Sequence, residues 1–388
     1  MNLLVSLFIK NSEDVKDPDV RSKYGVLTGL TGIICNILLF ALKIFIGLAT
    51  GAFSIAADAL NNLSDAASSV VTFLSFKTSA KPADKEHPLG HGRMEYVSGI
   101  IVSIAIVVVG VELLQTSVQK ILHPEELTWS VLTVVILLFS ICLKSWMAYL
   151  YTAVGKRIGS VSLKASAVDS LSDCITTGVV LICVLIFRFL GANVDGYASL
   201  VVSVFVLAGG IGQVKDTMQP LLGMAPSEEE ISLINKIVLE DNRILGLHDL
   251  IIHDYGPGRL YATVHAEVDS KLTLLEAHDI IDRAERRVHK KSGFDLVIHG
   301  DPVVIGDAQT DTYKRQVESA LIAIHPEIHL HDFRVVQGKK RAEIYFDAVV
   351  PYSLNKTEEE IRKEIIEDVR RRIPNSFLHL QIDRFSVR

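Results

Sequence analysis

The sequence predicts an α-helical membrane protein of six transmembrane helices, followed by a cytoplasmic α+β half made of tandem αββαβ domains. Three observations carry that expectation: a split in charge along the chain, six apolar stretches of spanning length, and an internal repeat near the C-terminus. The 388 residues are 49% hydrophobic and 22% charged, with a mean hydropathy of +0.34. That average is too high for an ordinary soluble protein and too low for a chain that is membrane throughout. Residues 226–388 hold 52 of the 84 Lys, Arg, Asp and Glu residues in less than half the length. The net charge of −6 and a pI near 6.1 argue against nucleic acid as a partner.

Residues 1–24 form a cytoplasmic N-terminal segment. Its apolar run, within Met1 to Lys10, is too short to span and follows no cationic region, so it reads as an interfacial segment rather than a signal peptide. The apolar stretches follow at about 25–50, 52–76, 96–119, 128–152, 162–190 and 194–214, which makes residues 25–215 the transmembrane domain. Lys10, Lys16, Arg21 and Lys23 precede the first stretch; Lys77, Lys81, Lys85 and Arg93 lie between the second and third; Lys156, Arg157 and Lys164 lie between the fourth and fifth. The alternate loops are poor in basic residues, which places both termini in the cytoplasm of a multi-pass protein of the plasma (inner) membrane. Cys35, Cys142, Cys174 and Cys183 lie in apolar stretches with no CxxC spacing, and read as buried structural thiols.

In the C-terminal half, Leu247-His248-Asp249-Leu250 returns 83 residues later as Leu330-His331-Asp332-Phe333. Around each copy the order is an acidic helix, two strands joined by a Gly turn, a second helix and a last strand. The first copy has strands at Asp249–Tyr255 and Leu260–Val268, helix Leu274–Lys290 and strand Asp295–Gly300. The second has strands at His331–Val336 and Arg341–Val350, helix Lys356–Arg372 and strand Phe377–Phe385. The domains are set at 226–305 and 310–388.

The chemistry is concentrated in two of the apolar stretches. The second carries Asp58, Asn61, Asn62 and Asp65; the fifth carries Asp169 and Asp173. Carboxylates at bilayer depth cost several kcal/mol, so they face a partner, an ion or water. Asn61 and Asp65 are four apart, as are Asp169 and Asp173, so each pair stacks on one helix face. Two such faces opposed offer four oxygen ligands to one divalent cation. The alternative is a polar seam of inter-helix hydrogen bonds, which accounts well for Ser64, Ser68, Ser69, Ser170 and Ser172 but poorly for three carboxylates. Lys43 and Lys144 could pair with them, but are expected to snorkel or sit elsewhere. Asp58, seven residues before Asp65, is left open as a further ligand, a proton acceptor or part of the ion's path; Glu112 reads as a hydrogen-bonded structural residue.

The paired ligand positions on two helices, the His-rich loop after the second helix and the αββαβ domain together resemble the cation diffusion facilitator family. The resemblance covers about Tyr24 to Val303. Zinc-carrying members usually have Asp or His with Asp in the second helix and His with Asp in the fifth. Asn61/Asp65 and Asp169/Asp173 contain no histidine, and this all-oxygen set resembles the manganese-exporting branch. Imidazole suits zinc, whereas carboxylate, carbonyl and water suit Mn²⁺, which also binds weakest among these divalent ions. The resemblance implies a ferredoxin/metallochaperone-like fold for the αββαβ domains. It also implies a homodimer in the lipid bilayer that exchanges a divalent ion for protons by alternating access. Mutual repulsion among the carboxylates is compatible with that exchange.

The loop residues Asp84, His87 and His91 match the family's loop metal site; a plain hydrophilic surface loop is the alternative. His248, His265, His278, His299 and Asp301 match the family's cytoplasmic metal residues, near its dimer contact, and imply a regulatory divalent metal. His289 and His379 read as plain surface residues. In the second copy the matching positions are His331, Asp347, Glu360, Gln381 and Asp383. That substitution reads as decay into a packing module, with re-tuning to a harder ion as the alternative. The resulting expectation is a Mn²⁺/H⁺ antiporter with no prosthetic group and no enzymatic activity. Zn²⁺ or Fe²⁺ efflux by the same mechanism is the runner-up, and a membrane-anchored metal sensor stands behind it.

Overall fold

Six long helices precede residue 223: α1 (Pro18–Thr50), α2 (Phe53–Ser79), α3 (Met94–Leu122), α4 (Val131–Arg157), α5 (Val161–Leu190) and α6 (Asp195–Leu222). The computed structural model describes residues 9, 12–15, 17–50, 53–123, 130–337 and 341–384, without the side chains of 18, 47–50, 53–58 and 337. The Asp58 side chain and most of the Met1–Lys10 segment lie outside that description. Among the described residues, α1, α3, α4, α5 and α6 are long and apolar enough to cross a membrane. Five helices rather than six meet that measure. The sixth, α2, has 27 residues, but Asn61, Asn62, Ser64, Asp65, Ser68 and Ser69 dilute its apolar content.

Local signals start and stop these helices. The hydroxyls of Ser130 and Ser160 accept from the backbone N–H of Thr133 and Leu163 and begin α4 and α5. Gly191, at φ 67°, ends α5 in the left-handed conformation. α1 packs chiefly along α2, α3 along α6 and α4 along α5. Close approach depends on small residues. A Cβ at Gly29 of α1 would stand 2.9 Å from Phe73 Cα of α2, and one at Gly32 would stand 2.0 Å from the Tyr151 hydroxyl of α4. Cys35 and Cys183 are buried, but Cys142 is exposed and Cys174 half-buried. The expectation of four buried thiols is corrected because a membrane helix has an outward face as apolar as its inward one.

The chain divides into two units, Met1–Met224 with Asp254–Arg259, and Ala225–His253 with Leu260–Arg388. The second contains α7 (Glu228–Val238), β1 (Ile244–Asp254), β2 (Leu260–Asp269), α8 (Leu274–Ser292) and β3 (Asp295–Val303). It continues with α9 (Ala308–Ile324), β4 (His329–Gln337), β5 (Ala342–Val349), α10 (Glu358–Arg372) and β6 (Ser376–Asp383). The strands form two sheets, β1-β2-β3 and β4-β5-β6. β2 runs parallel to β3 and β5 parallel to β6, while β4 and β5 are antiparallel. Reciprocal capping boxes open three helices: Ser227 with Glu230, Thr273 with Glu276, and Thr357 with Glu360.

Each sheet buries alternate residues under its two helices. Ala262, Val264 and Ala266 pack with Ile234, Ile280, Ala284 and Val288; Ile344, Phe346 and Ala348 pack with Val317, Leu321, Ile361 and Ile365. Strand alternation therefore sends His265, between Val264 and Ala266, to the opposite face. The β2–β3 register sets His265 beside His299, and the β5–β6 register sets Asp347 beside Gln381. Asp249 and Asp332, at φ 53° and 44°, are the non-glycine residues with positive φ among those described. They occupy the matching positions of the His-Asp pair in β1 and β4.

Candidate metal centres

In the first unit, α2 and α5 bring Asp65, Asp169 and Asp173 together, with one carboxylate oxygen from each lying within 4.8 Å of the others. They line a cavity of about 140 Å³ with Asn61, Ser64, Glu112, Ser140 and Thr176. The two i, i+4 pairs meet there because each presents one helix face. Asn61 lines the cavity but is exposed. Glu112, expected to be structural, also lines it.

Lys144 of α4 overturns the expectation that it snorkels. Its side chain is 5% exposed, and its ammonium donates to Asp65 Oδ2 at 2.7 Å and Asp173 Oδ2 at 2.5 Å. Lys43 is buried as well and lines the same cavity. The sequence signal was present: Lys144 sits mid-helix, where a four-carbon stem cannot carry its charge to either end. A charge so placed in an apolar medium needs an opposite charge beside it.

The polar seam also exists, and shares Ser69 with the expected set. Asn36 donates to Ser69 at 3.3 Å, Thr72 meets Ser166 at 3.4 Å and Ser98 donates to Ser162 at 3.0 Å. Two ion pairs escaped the sequence reading. Arg21 grips the fully buried Glu95 with two nitrogens, at 2.5 and 2.9 Å. Lys120 donates to buried Asp195 at 2.6 Å.

The α2–α3 loop gathers Asp84, His87 and His91 within ligand reach of one another. Asp84 Oδ1 accepts from the backbone N–H of His87 at 2.7 Å and Glu86 at 3.0 Å. That backbone bonding, His87 foremost, holds its carboxyl below the usual range. His91 Nε2 lies 3.5 Å from Asp84 Oδ2, while its buried Nδ1 has no hydrogen-bond partner.

In the second unit, His248, Asp249 and His265 form one group of ligand atoms, and His265, His299 and Asp301 another. Asp301 is their hub: its carboxylate lies 2.9 Å from His265 Nδ1, 3.2 Å from His248 Nε2 and 3.4 Å from His299 Nε2. His248 Nδ1 meets Asp249 Oδ2 at 3.1 Å. Burial opposes a charge on His248, but contacts with Asp249 and Asp301 outweigh it and push the imidazole up to about 10. Burial also works to raise Asp301, and its histidine contacts more than offset this. His278 does not join them: it is exposed on α8. It stands two residues before buried Ile280, about 200° away around the helix at 3.6 residues per turn.

Asp249 is a member that sequence reasoning did not propose. The second sheet also reaches the group, since the His331 ring lies 5.4 Å from that of His248. Near it, Asp332, Asp347, His379 and Gln381 line an open cleft of about 390 Å³. Burial, then Asp332, Asp383 and Asp249, push Asp347 up to about 6. Among the two expected surface histidines, His289 pairs with Asp295 at 3.0 Å while largely exposed, and His379 stacks on Tyr345.

A bundle with apolar helices and a carboxylate-lined cavity, joined to an α/β unit rich in metal-binding side chains, defines a membrane metal-cation transporter. The cation efflux transmembrane domain family matches residues 30–222, and the cation efflux protein cytoplasmic domain family matches residues 226–303. An uncharacterised transporter of Methanocaldococcus jannaschii is 30% identical over 251 residues, covering 65% of this chain and 88% of that protein. The cation-efflux pump FieF of Pectobacterium atrosepticum is 30% identical over 284 residues, 71% of this chain and 92% of the pump. FieF of Klebsiella pneumoniae is 29% identical over 301 residues, 76% of this chain and all of that protein. The chain belongs to the cation efflux, or cation diffusion facilitator, family: it is a metal-cation efflux transporter and not an enzyme.

Proposed function

We propose that the chain exports Mn²⁺ in exchange for protons, by alternating access, as a homodimer in the plasma (inner) membrane with both termini in the cytoplasm. In this reading α2 completes a six-helix bundle, its polar residues facing the ion path. The observation that carries it is the donor set Asp65, Asp169 and Asp173, close together on α2 and α5 and without an imidazole among them. Carboxylate oxygens suit a hard ion, and replacing nitrogen donors lowers the advantage of ions later in the affinity order. Asn61 lines the same cavity, and a carboxamide has a carbonyl oxygen to offer. The close carboxylates repel one another, so a bound cation, metal or proton, relieves the site in either orientation.

Zn²⁺ or Fe²⁺ efflux by the same route is the second reading. The imidazoles of His248, His265 and His299 favour it, since a protein that senses zinc on its soluble domain has a use for moving it. We assign those residues with Asp301, and the loop group Asp84, His87 and His91, to regulatory divalent-metal binding. The two αββαβ sheets are read as tandem copies, the first of them the dimerisation domain. Ion flux into proteoliposomes under an imposed pH gradient, comparing Mn²⁺, Zn²⁺ and Fe²⁺, tests the assignment. Mn²⁺ moving fastest, and only with a proton gradient or counterflow, is expected. Equal Zn²⁺ flux would overturn the metal, and flux indifferent to the gradient would overturn the antiport.

A further inference from the structure

We infer that Lys144 is a tethered competitor for the transport site: its ammonium holds the carboxylate oxygens that the transported ion needs, and metal binds only by displacing it. The inference rests on the reading that Asp65, Asp169 and Asp173 receive the transported ion. Its own footing is the position of the ammonium, 2.7 Å from Asp65 Oδ2 and 2.5 Å from Asp173 Oδ2. These oxygens belong to different helices, so the ammonium stands between the two walls of the site. A divalent ion bonding the same oxygens at its usual ~2.0–2.6 Å would fall almost on the lysine nitrogen. Two cations cannot share that place, because like charges that close repel strongly in a site shielded from solvent.

The surroundings offer the displaced side chain somewhere to go. Ser140 lies four residues before Lys144, hence on the same face of α4. It is 2% exposed, its hydroxyl has no hydrogen-bond partner, and it lines the same cavity of about 140 Å³. Glu112 of α3 lines that cavity too and offers a carboxylate. A flexible stem with a compact, rotatable ammonium suits such a swing better than the planar fork of arginine. The ammonium repels every divalent ion alike. It therefore sets how tightly metal is held and how readily it leaves, without choosing among metals.

Equilibrium binding of Mn²⁺ to the full-length protein in nanodiscs, read by electron paramagnetic resonance of the free ion at pH 8, tests this. The competitor role predicts that Lys144→Met binds Mn²⁺ at least ~10-fold more tightly than wild type, a shift of ~1.4 kcal/mol, and that Zn²⁺ tightens in parallel. Lys144→Arg, whose bidentate grip is harder to displace, should bind more weakly. A lysine with a merely structural role predicts the opposite for the methionine variant, because a loosened site binds less well. Unchanged or weaker binding by both Lys144→Met and Lys144→Gln, with both variants folded, would overturn the inference. Asp173→Ala separates the two levels. If it leaves every Mn²⁺-binding site of the wild type occupied, the transport-site reading fails; if it removes one bound Mn²⁺ while Lys144→Met tightens none, only the competitor role fails.

Discussion

The carboxylates between α2 and α5 and the histidines beside the first sheet both gather cation-binding atoms, but they solve the problem of charge differently. In the second unit three imidazoles surround the Asp301 carboxylate at 2.9–3.4 Å, and contact with Asp249 and Asp301 favours the charged form of His248, so opposite charges meet within the cluster. In the membrane unit three carboxylates stand together with no imidazole, and Lys144, from a third helix, supplies the positive charge. Like charges at one buried site are tolerated only with a counter-charge or an ion. A cluster that balances itself can wait for metal; a cluster that needs a foreign cation is suited to exchanging one cation for another.

That contrast breaks most sharply at Asp173. Asp173→Ala removes a donor from the proposed transport site and should lower metal flux into proteoliposomes by ~100-fold or more, since loss of outer-shell partners alone costs ~10–100-fold. Metal bound by the second unit should be unaffected. Flux near wild type would move the ion path away from α2 and α5.

Asp169→His tests the donor chemistry itself, and imports into the membrane site what the second unit already has. Zn²⁺ flux should gain on Mn²⁺ flux by roughly 10-fold, following the preference of imidazole for zinc. An unchanged ratio would put selectivity outside these donors. Replacing both His265 and His299 by alanine should remove metal from the second unit, as counted by equilibrium dialysis, while flux at saturating metal persists. If flux collapses with that binding, the soluble cluster is a step in the path rather than a regulator.

The smallest effect concerns the second sheet, where Asp347 lies near the carboxylates of Asp332 and Asp383. Asp347 has a folded-state pKa of about 6 against an ordinary 3.8. A raised pKa means its contribution to stability is fully present below 3.8 and is lost as the pH rises through 6. Asp347→Asn should therefore raise the unfolding midpoint of the second unit at pH 7.5, by about 2–4 °C for each ~1 kcal/mol recovered. At pH 4 the variant should match wild type. An equal rise at both pH values would show that packing, not ionisation, limits stability there.

The two sheets also show how far the spacing of a sequence motif can be read. The matched pairs His265 and His299, and Asp347 and Gln381, occupy equivalent registers. The matched Asp249 and Asp332 share the same unusual backbone. Those correspondences were legible as a His-Asp motif spaced 83 residues apart. The positive φ was not, because no glycine marks it and a side chain rarely adopts it unless surrounding structure enforces it. His278 was legible only through its family position, which implies a ligand; within one chain it lies exposed on α8, apart from the other histidines.

Within the chain alone, periodicity and spacing determined a good deal. Long apolar runs must become helices, because a backbone in lipid has to satisfy its own hydrogen bonds. Carboxylates four apart must share a face, and strand alternation must part His265 from the core. Capping residues set where helices begin. All of these are local consequences of the backbone's fixed geometry. What the tertiary structure decided is which charges meet. Lys144 is separated from Asp65 by 79 residues and from Asp173 by 29, and Arg21 from Glu95 by 74. Such pairings depend on how helices turn and pack against one another, and a buried charge finds its partner only once that packing has closed around it.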